Sequence, residues 1–489
     1  MSSAMISSNE TVRNTDNFFQ CERQKRSMLM ALCIALLLFG GVIWTLIKAF
    51  SSTVPEEVEC YTALSLQGLY FAIAILIRHL RRPVYIFEPY TMVTLIYVLV
   101  YHVAAVFQFS AGDTSRYGID AMPQTLEAVF FVVAGHIAFT LAYGFDPIRN
   151  AKKDRIPFYC EPKNELLLVR AAYCIFFVSL CLYLVYAISR GFSISYILSG
   201  GLSGNQSAVI EESALGFLSY TSYSCVGAWA VIFAFGRGRF LKAATFAVMI
   251  AILFFSGTRA AIILPLLAPI VISYVQKKKA PSLVAFAGAA ALLVFLFAIM
   301  QVARVGIRTG VGMDLGTGGL ANLFEPFYAE IDDFKVFYSL LPLFPNRISF
   351  LYGSQMIVGS LVVLIPRAIW PGKPDPQVHE IINILYGNRA MLNGVAYPNL
   401  GEYYVEFGVI GIIVCMFILG LLCRYARNLY MKRQGLSLSL VLYSLIYGAL
   451  FQIIIRGYMP QNFTMMLFLL APVVIIAVLN KRTLQKLDS

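Results

Sequence analysis

The sequence predicts an all-α polytopic membrane protein with about twelve transmembrane helices. Of its 489 residues, 59% are hydrophobic and only 13% are charged, whereas soluble domains carry about 25% charged residues. The basic residues cluster beside long apolar runs, so the net charge of +12 indicates contact with a membrane surface rather than with nucleic acid. Few polar segments are long enough to form a separate soluble domain.

Twelve apolar segments account for this prediction, because each is long enough for a full or short membrane helix. The first segment follows a basic stretch and is long enough to remain a span instead of a cleaved signal. The predicted spans are residues 27–48, 61–77, 88–109, 123–144, 166–189, 214–236, 241–256, 260–276, 281–302, 404–423, 437–455 and 463–480.

Lysine and arginine residues predict the orientation of the helices. By the positive-inside rule, the loops that carry basic clusters face the cytoplasm. These clusters lie at residues 13–26, 78–82, 149–163, 237–242, 277–279, 424–433 and 481–486. Both termini are therefore predicted to be cytoplasmic, whereas the acidic loop with Glu56, Glu57 and Glu59 faces outside.

The apolar run from Ala243 to Gln276 predicts a short hairpin. A single helix of this length would measure roughly 51 Å, but the core of a bilayer is only about 30 Å thick. Basic clusters flank both ends of the run, so both ends face the cytoplasm. Two short spans within 241–276 fit this pattern and place Arg259 at the outer turn. Charge at this depth is costly and usually functional.

The longest loop, residues 303–403, is predicted to lie outside between the ninth and tenth helices. Its many aromatic residues indicate an ordered segment. The apolar stretch from Tyr352 to Ile365 is too short for a span and suits a re-entrant or interfacial helix. The chain thus divides into an N-terminal membrane bundle of nine helices (1–302), an extracytoplasmic loop domain with short helices (303–403) and three C-terminal helices (404–489).

Five arginines are predicted to gather at the outer face, with Arg259, Arg308 and Arg367 as catalytic residues and Arg304 and Arg456 as substrate-binding residues. Arg304 and Arg308 are four residues apart and can share one helical face. Guanidinium groups form paired hydrogen bonds with phosphate oxygens and stay protonated, which suits a lipid pyrophosphate. Alternatively, each arginine reaches lipid phosphates or pairs with a carboxylate.

Glu402 and Glu406 open the tenth helix at its outer end. A carboxylate at a helix N-terminus is favoured by the helix dipole, and this structural account is sufficient by itself. In the functional alternative, Glu402 is a catalytic base for a sugar hydroxyl or accepts hydrogen bonds from a sugar.

Five further residues complete the predicted substrate-binding site: Trp370, Lys373, His379, Tyr397 and Asn399. Trp370 could stack on a sugar ring or anchor the membrane interface. Lys373 adds charge to the arginine patch or is simply solvated. His379 is a general base or an incidental loop residue. The four histidines of the chain are far apart and no metal-ligand cluster is evident, so neither a metal nor a cofactor is predicted.

Three segments resemble the O-antigen polymerase family, the Wzy-type polymerases of oligosaccharide repeat units. Phe255-Ser-Gly-Thr-Arg-Ala-Ala-Ile262 is similar to the family's glycine-x-arginine-alanine hairpin. Ile365-Pro-Arg-Ala-Ile-Trp-Pro-Gly-Lys-Pro374 resembles a segment of enterobacterial common antigen polymerases. The third segment resembles the family's sequence at the start of the next membrane span. It consists of Gly401-Glu402 followed by Phe407-Gly408-x-x-Gly411. The resemblance covers roughly residues 160–480.

The resemblance implies a C-type glycosyltransferase-like fold and an inverting, metal-independent transfer at the outer face of the bacterial cytoplasmic (inner) membrane. The growing glycan passes from undecaprenyl pyrophosphate to a new lipid-linked repeat unit. The implied partners are undecaprenyl-pyrophosphate-linked glycans and membrane lipids, with a flippase and a chain-length regulator beside them. Arg308 and Gly319 also match an Arg-x10-Gly pattern found in some members.

Three other functions are compatible with such a chain. A flippase or transporter of lipid-linked oligosaccharides typically has repeats, broken helices in both halves and charge near the midplane. This chain instead has one asymmetric outer loop and arginines at one face. An O-antigen ligase has a histidine–polar pair where this chain has Tyr397-Pro398-Asn399. A non-catalytic scaffold for polysaccharide assembly is the third alternative, and the polymerase is favoured over all of them.

Overall fold

The computed structural model describes residues 28–81, 85–116, 118–144, 165–189, 216–255, 259–277, 281–282, 284–285, 288, 333–366, 369–373, 381, 397–431 and 437–487. Within these residues the chain is almost entirely helical, and its one sheet is a two-stranded antiparallel hairpin of β1 (Ser115–Arg116) and β2 (Ile119–Asp120). The predicted all-α polytopic membrane fold is confirmed.

The helices are numbered in chain order over the described residues. They are α1 (Met28–Ser51), α2 (Pro55–Arg81), α3 (Pro89–Tyr97), α4 (Ala104–Ser110), α5 (Thr125–Gly144), α6 (Glu165–Ser189), α7 (Thr221–Phe235), α8 (Arg239–Phe255), α9 (Arg259–Gln276), α10 (Asp333–Leu340), α11 (Ser360–Val362), α12 (Asn399–Met431), α13 (Leu438–Ile455) and α14 (Met459–Leu487). A π-helical turn, Val98–Val103, joins α3 to α4, and a second one, Ser354–Gly359, precedes α11.

Nine helices in this part of the chain are long and apolar enough to cross a membrane, and each overlaps a predicted span. These are Met28–Ser51, Pro55–Leu80, Pro89–Ser110, Met122–Gly144, Glu165–Ser189, Gly216–Phe235, Asn399–Asn428, Leu438–Ile455 and Met459–Asn480. The predicted short hairpin corresponds to the shorter helices α8 and α9. Most of the predicted span 281–302 lies outside the described residues, so the total of twelve stays a prediction.

Two apolar cores organise the bundle. The first joins α2, α3, α5 and α12, and the second joins α6, α7, α9, α13 and α14. Glycines let the helices approach closely within both cores. A Cβ atom added to Gly420 on α12 would lie 2.5 Å from the Phe139 carbonyl oxygen of α5. One added to Gly227 on α7 would lie 2.1 Å from the Leu469 carbonyl oxygen of α14. Such small-residue contacts are typical of membrane helix pairs.

Part of the predicted outer loop packs into the first core. Helix α10 buries Phe334, Phe337 and Tyr338 against α4, α5 and α12. Lys335 on the same helix is buried as well, and its Nζ lies 2.8 Å from a carboxylate oxygen of Asp113. The aromatic residues that predicted order in this loop therefore hold α10 against the outer end of the bundle. Here "outer end" means the end at which α2, α5 and α12 begin, following the predicted topology.

Helix α12 is broken near its start. Phe407 (φ −139°, ψ 16°) and Gly408 (φ 64°, ψ −147°) leave helical geometry, and the Gly408 conformation is one that only glycine adopts readily. Two carbonyl oxygens just before the break accept hydrogen bonds from another segment. Val405 O accepts from Leu351 N (3.0 Å) and Glu406 O from Tyr352 N (2.9 Å). The first glycine of the Gly-x-x-Gly pattern, Gly408, thus permits this break. The sequence had predicted only close helix packing from the pattern.

The predicted re-entrant or interfacial helix at Tyr352–Ile365 is only partly formed. Regular structure there is limited to the π-helical turn and α11. Two residues with positive φ, Tyr352 (49°) and Gly353 (87°), precede the turn. This short element packs on the start of α14, since a Cβ atom added to Gly359 would lie 3.3 Å from Pro460.

Candidate functional site

Three segments meet at the outer end of α12. They are the start of α12 itself (397–406), the turn that leads into α11 (351–362), and the link between α13 and α14 (456–459). Gly457 N in this link donates to Tyr397 O over 2.8 Å. A Cβ atom on Gly457 would lie 2.6 Å from the Asn399 backbone. Only glycine permits this contact, which brings the link directly against the start of α12.

Glu406 fixes the turn before α11. It is fully buried, and both of its carboxylate oxygens accept hydrogen bonds from main-chain N–H groups. One oxygen accepts from Gly353 N over 2.6 Å and the other from Met356 N over 2.7 Å. A carboxylate that binds free N–H groups at the start of a helical turn stabilises that turn. Glu406 therefore has a structural role in holding the turn against α12.

Glu402 is held differently. It is fully buried, and its Oε2 accepts a hydrogen bond from Met459 N over 2.6 Å at the start of α14. Its Oε1 is buried and has no hydrogen-bond partner among the described residues. Leaving a buried acceptor unsatisfied is costly. The anchored Oε2 fixes the carboxylate, and the unpartnered Oε1 is available to a hydrogen-bond donor on a ligand.

Gln355 and Tyr397 adjoin this carboxylate. Gln355 Nε2 donates to the Tyr397 hydroxyl over 2.7 Å, and Gln355 Oε1 is buried without a partner in the described structure. Burial, together with the nearby negative charge of Glu402, raises the pKa of the Tyr397 phenol well above its ordinary value. Tyr397 therefore stays a neutral phenol.

Asn399 links α12 to α3. Its Nδ2 lies 3.1 Å from the Tyr97 hydroxyl, which in turn lies 3.0 Å from the sulfur of Met416. Asn399 and Tyr97 are both buried. The predicted substrate-binding role of Asn399 stays a prediction, and what the structure shows is a hydrogen-bonded contact between helices.

The predicted arginines are only partly described. Arg259 is the first residue of α9, but its side chain lies outside the described structure, as do Arg304, Arg308, Arg367 and His379 entirely. Arg456 ends α13 and is half-buried beside the link to α14. The convergence of the arginines therefore stays a prediction. Among the predicted site residues, the described structure brings together Tyr397, Asn399, Glu402 and the main chain of Arg456.

Lys373 and Trp370 lie beyond α11. Lys373 Nζ donates to the carbonyl oxygens of Val363 (3.4 Å) and Ile365 (3.3 Å), so it binds free carbonyl groups after a helix end. Trp370 is 41% exposed, which leaves its ring open to a sugar or to the membrane interface. The substrate-binding roles predicted for both residues stay predictions.

A second polar cluster, not predicted as a site, lies at the opposite (inner) end of α12. The Oε1 atom of Glu88 lies 2.6 Å from Arg78 Nη2, 3.2 Å from Arg427 Nε and 2.9 Å from the Tyr143 hydroxyl. Arg78 also packs over the ring of Tyr90, 5.0 Å from its centroid. In the sequence, Arg78 and Arg427 indicated only the orientation of the helices in the membrane. The signal it missed was Glu88, a single carboxylate beside a basic cluster.

Gln355 was also missed. It is the one amide side chain in the apolar stretch Tyr352–Ile365, and an isolated polar residue of this kind in a membrane segment favours a functional role. Its proximity to residues 397–402 depends on tertiary packing, and no local pattern reveals it.

The nine apolar, membrane-length helices of the described residues place the chain in the class of multi-pass integral membrane proteins. The chain matches the model of the family described as O-antigen polysaccharide polymerase Wzy over residues 29–486 and belongs to that family. No curated protein and no solved structure matches it. The protein is therefore a multi-pass membrane polymerase of O-antigen repeat units that acts on lipid-linked oligosaccharides. The finer similarity to enterobacterial common antigen polymerases stays a prediction.

Proposed function

We propose that this protein polymerises lipid-linked repeat units on the outer face of the cytoplasmic membrane, with both termini in the cytoplasm. The growing glycan passes from undecaprenyl pyrophosphate to the non-reducing sugar of a new lipid-linked unit, with inversion and without a metal ion. The product is a polysaccharide of the O-antigen, capsule or common-antigen type. A flippase supplies the units, and a chain-length regulator works beside the polymerase.

The observation that carries this mechanism is the unpartnered Oε1 of Glu402. Because Oε2 is fixed by Met459 N, the carboxylate keeps one orientation and Oε1 accepts the proton of the acceptor hydroxyl. The hydroxyl oxygen forms a bond to the anomeric carbon of the donor sugar. The bond from that carbon to the pyrophosphate oxygen breaks, and its electron pair leaves with the pyrophosphate. Attack from the opposite face inverts the anomeric centre.

The leaving group requires positive charge away from the two glutamates, since carboxylates repel a pyrophosphate. In our proposal, Arg259, Arg308 and Arg367 neutralise the pyrophosphate as fixed cations. Arg304, Arg456 and Lys373 add charge around it. Trp370, His379, Tyr397 and Asn399 position the sugars. Holding donor and acceptor side by side supplies much of the remaining rate acceleration.

Complementation of a polymerase-deletion strain tests this function. The strain receives wild-type protein, Glu402→Gln, Arg259→Lys, Arg308→Lys or Arg367→Lys at matched membrane levels, and its lipid-linked and surface glycans are analysed. We expect long chains from the wild type and single repeats at the cell surface from the variants. Repeats trapped inside the cell would indicate a flippase, and long chains left on the lipid carrier would indicate a ligase. Normal chains from Glu402→Gln would exclude the proposed base.

A further inference from the structure

Beside the proposed base lies a second buried polar group that the mechanism above does not use. Gln355 is 3% exposed, and only one end of its side-chain amide is bound, by the Tyr397 hydroxyl. The oxygen at the other end has no partner in the described structure. If the amide were reversed, Tyr397 could donate to the oxygen and the NH2 group would be the unbound end. In both orientations one polar end of Gln355 is free.

Hydrogen bonds to the neighbouring main chain hold Gln355 in position. Main-chain N–H groups on either side of it, Gly353 N and Met356 N, are bound by Glu406. The Gln355 amide also interacts with the Glu402 carboxyl, but Glu402 Oε1 has no hydrogen bond of normal geometry in the described structure. The free end of the amide and the free oxygen of Glu402 therefore belong to one buried polar site, which three chain segments keep in place.

The chemistry of this site selects its ligand. Its two unpartnered atoms, Glu402 Oε1 and Gln355 Oε1, are hydrogen-bond acceptors. They favour a group that donates hydrogen bonds over a pyrophosphate, whose oxygens only accept them. A sugar hydroxyl both donates and accepts, so it can satisfy the carboxylate oxygen and either end of the amide. Vicinal hydroxyls on one sugar ring supply enough donors for both unpartnered oxygens.

We propose that Gln355 binds the hydroxyl groups of the acceptor sugar and, together with Glu402, selects the acceptor repeat unit rather than the donor. This inference rests on the proposed function. The π-helical turn that carries Gln355 lies at the surface, with Ile357 54% and Val358 55% exposed.

The test separates acceptor from donor. Purified protein in nanodiscs of bacterial phospholipid receives, as donor, lipid-linked single repeats from a polymerase-deletion strain whose acceptor hydroxyl has been chemically blocked. The same repeat unit on a simple long-chain alcohol, which has no pyrophosphate to leave, serves only as acceptor. For Gln355→Met we expect the acceptor KM to rise ~10-fold or more, the effect of losing one buried hydrogen bond. The donor KM should stay within about twofold.

Gln67→Met is the matched control. Gln67 lies on α2, is fully buried and has neither amide atom bound among the described residues. The Gln67→Met variant therefore loses the same kind of buried amide group at a position outside this site. It should leave both KM values unchanged. Thermal unfolding and size-exclusion profiles verify folding. If Gln355→Met does not fold, Gln355→Asn, which withdraws the amide by one methylene group, should raise the acceptor KM in the same way.

Several outcomes would overturn the inference. These are an unchanged acceptor KM in the Gln355 variants, equal changes in donor and acceptor KM, or the same effect from Gln67→Met. A rate that disappears when Na⁺ and K⁺ are replaced by choline would assign the free oxygens to a cation instead. Failure of the wild-type protein to polymerise would refute the proposed function itself. If the wild-type protein polymerises and Gln355→Met has the same acceptor KM, this inference alone would be refuted.

Discussion

At the inner end of α12, Glu88 is held by Arg78, Arg427 and the Tyr143 hydroxyl. At the outer end, Glu402 and Glu406 are held by main-chain N–H groups of Met459, Gly353 and Met356. The inner carboxylate is neutralised by cations that belong to the bundle. The outer carboxyl groups accept main-chain hydrogen bonds, and Oε1 of Glu402 has no hydrogen-bond partner in the described structure.

The difference shows how one helix can carry an anchor at one end and a reactive group at the other. A buried ion pair that is fully hydrogen-bonded has little capacity left for a ligand, and removing one partner is strongly destabilising. A carboxylate with one anchored and one free oxygen is instead suited to proton transfer. Substitutions at the two ends should therefore separate stability from catalysis.

The largest effect is expected at the outer end. Glu402→Gln should lower the polymerisation rate by ~10³-fold, because the amide cannot accept the hydroxyl proton. The variant should remain folded, since an amide oxygen can still accept from Met459 N. The measurement is chain elongation per folded molecule. Glu406→Gln is the control, and its effect should fall on the amount of folded protein. Equal elongation rates in both variants would contradict the distinction.

At the inner end, Glu88→Gln should destabilise the protein by about 3 kcal/mol, because two arginines lose their buried counter-charge. Thermal unfolding in detergent measures this loss. Elongation per folded molecule should stay close to wild type. Adding Arg427→Gln should cost less than the sum of the two single changes, as expected for groups in direct contact. A loss of rate without a loss of stability would place Glu88 in the catalytic machinery.

A smaller effect is expected at the break in α12. Gly408→Ala should cost about 2 kcal/mol, because φ 64° with ψ −147° is strained for any residue with a Cβ atom. The added methyl group would also lie 3.1 Å from the ring of Phe350. Gly40→Ala on α1 is the control, since its added Cβ would meet no atom within 4 Å. Chemical denaturation of both variants measures their free energies of unfolding. A Gly408→Ala variant as stable as the wild type would contradict the expectation.

The smallest effect is expected for Tyr97→Phe. It removes the hydroxyl that contacts Asn399 and Met416 and should cost about 1 kcal/mol. The ring remains and continues to fill the first core. A small decrease in unfolding temperature with unchanged elongation is the expected result. A large loss of elongation would show that the Asn399 contact matters for catalysis and not only for joining α3 to α12.

The nine spans could be predicted from sequence because each is a long apolar run that only a helix can carry through a membrane. The N-terminal position of Glu402 on α12 was equally accessible. The contact of Glu402 with Met459 was not, because it depends on how α14 packs against α12. For the same reason no local pattern places Gln355 beside Tyr397, or Glu88 beside Arg427. Gly408 could be identified as a special residue, but its positive φ follows from the tertiary contacts of Val405 and Glu406.

The break at Phe407–Gly408 also determines how much of α12 must cross the hydrocarbon layer of the bilayer. Helix α12 has 33 residues, and if continuous it would be about 50 Å long, well beyond a hydrocarbon layer of about 30 Å. The piece after the break, residues 409–431, measures about 35 Å and can cross that layer with a modest tilt. The eight or so residues before it are thereby released from the lipid and can lie at the headgroup level. Two acidic side chains thus join a transmembrane helix without the penalty of placing them among acyl chains.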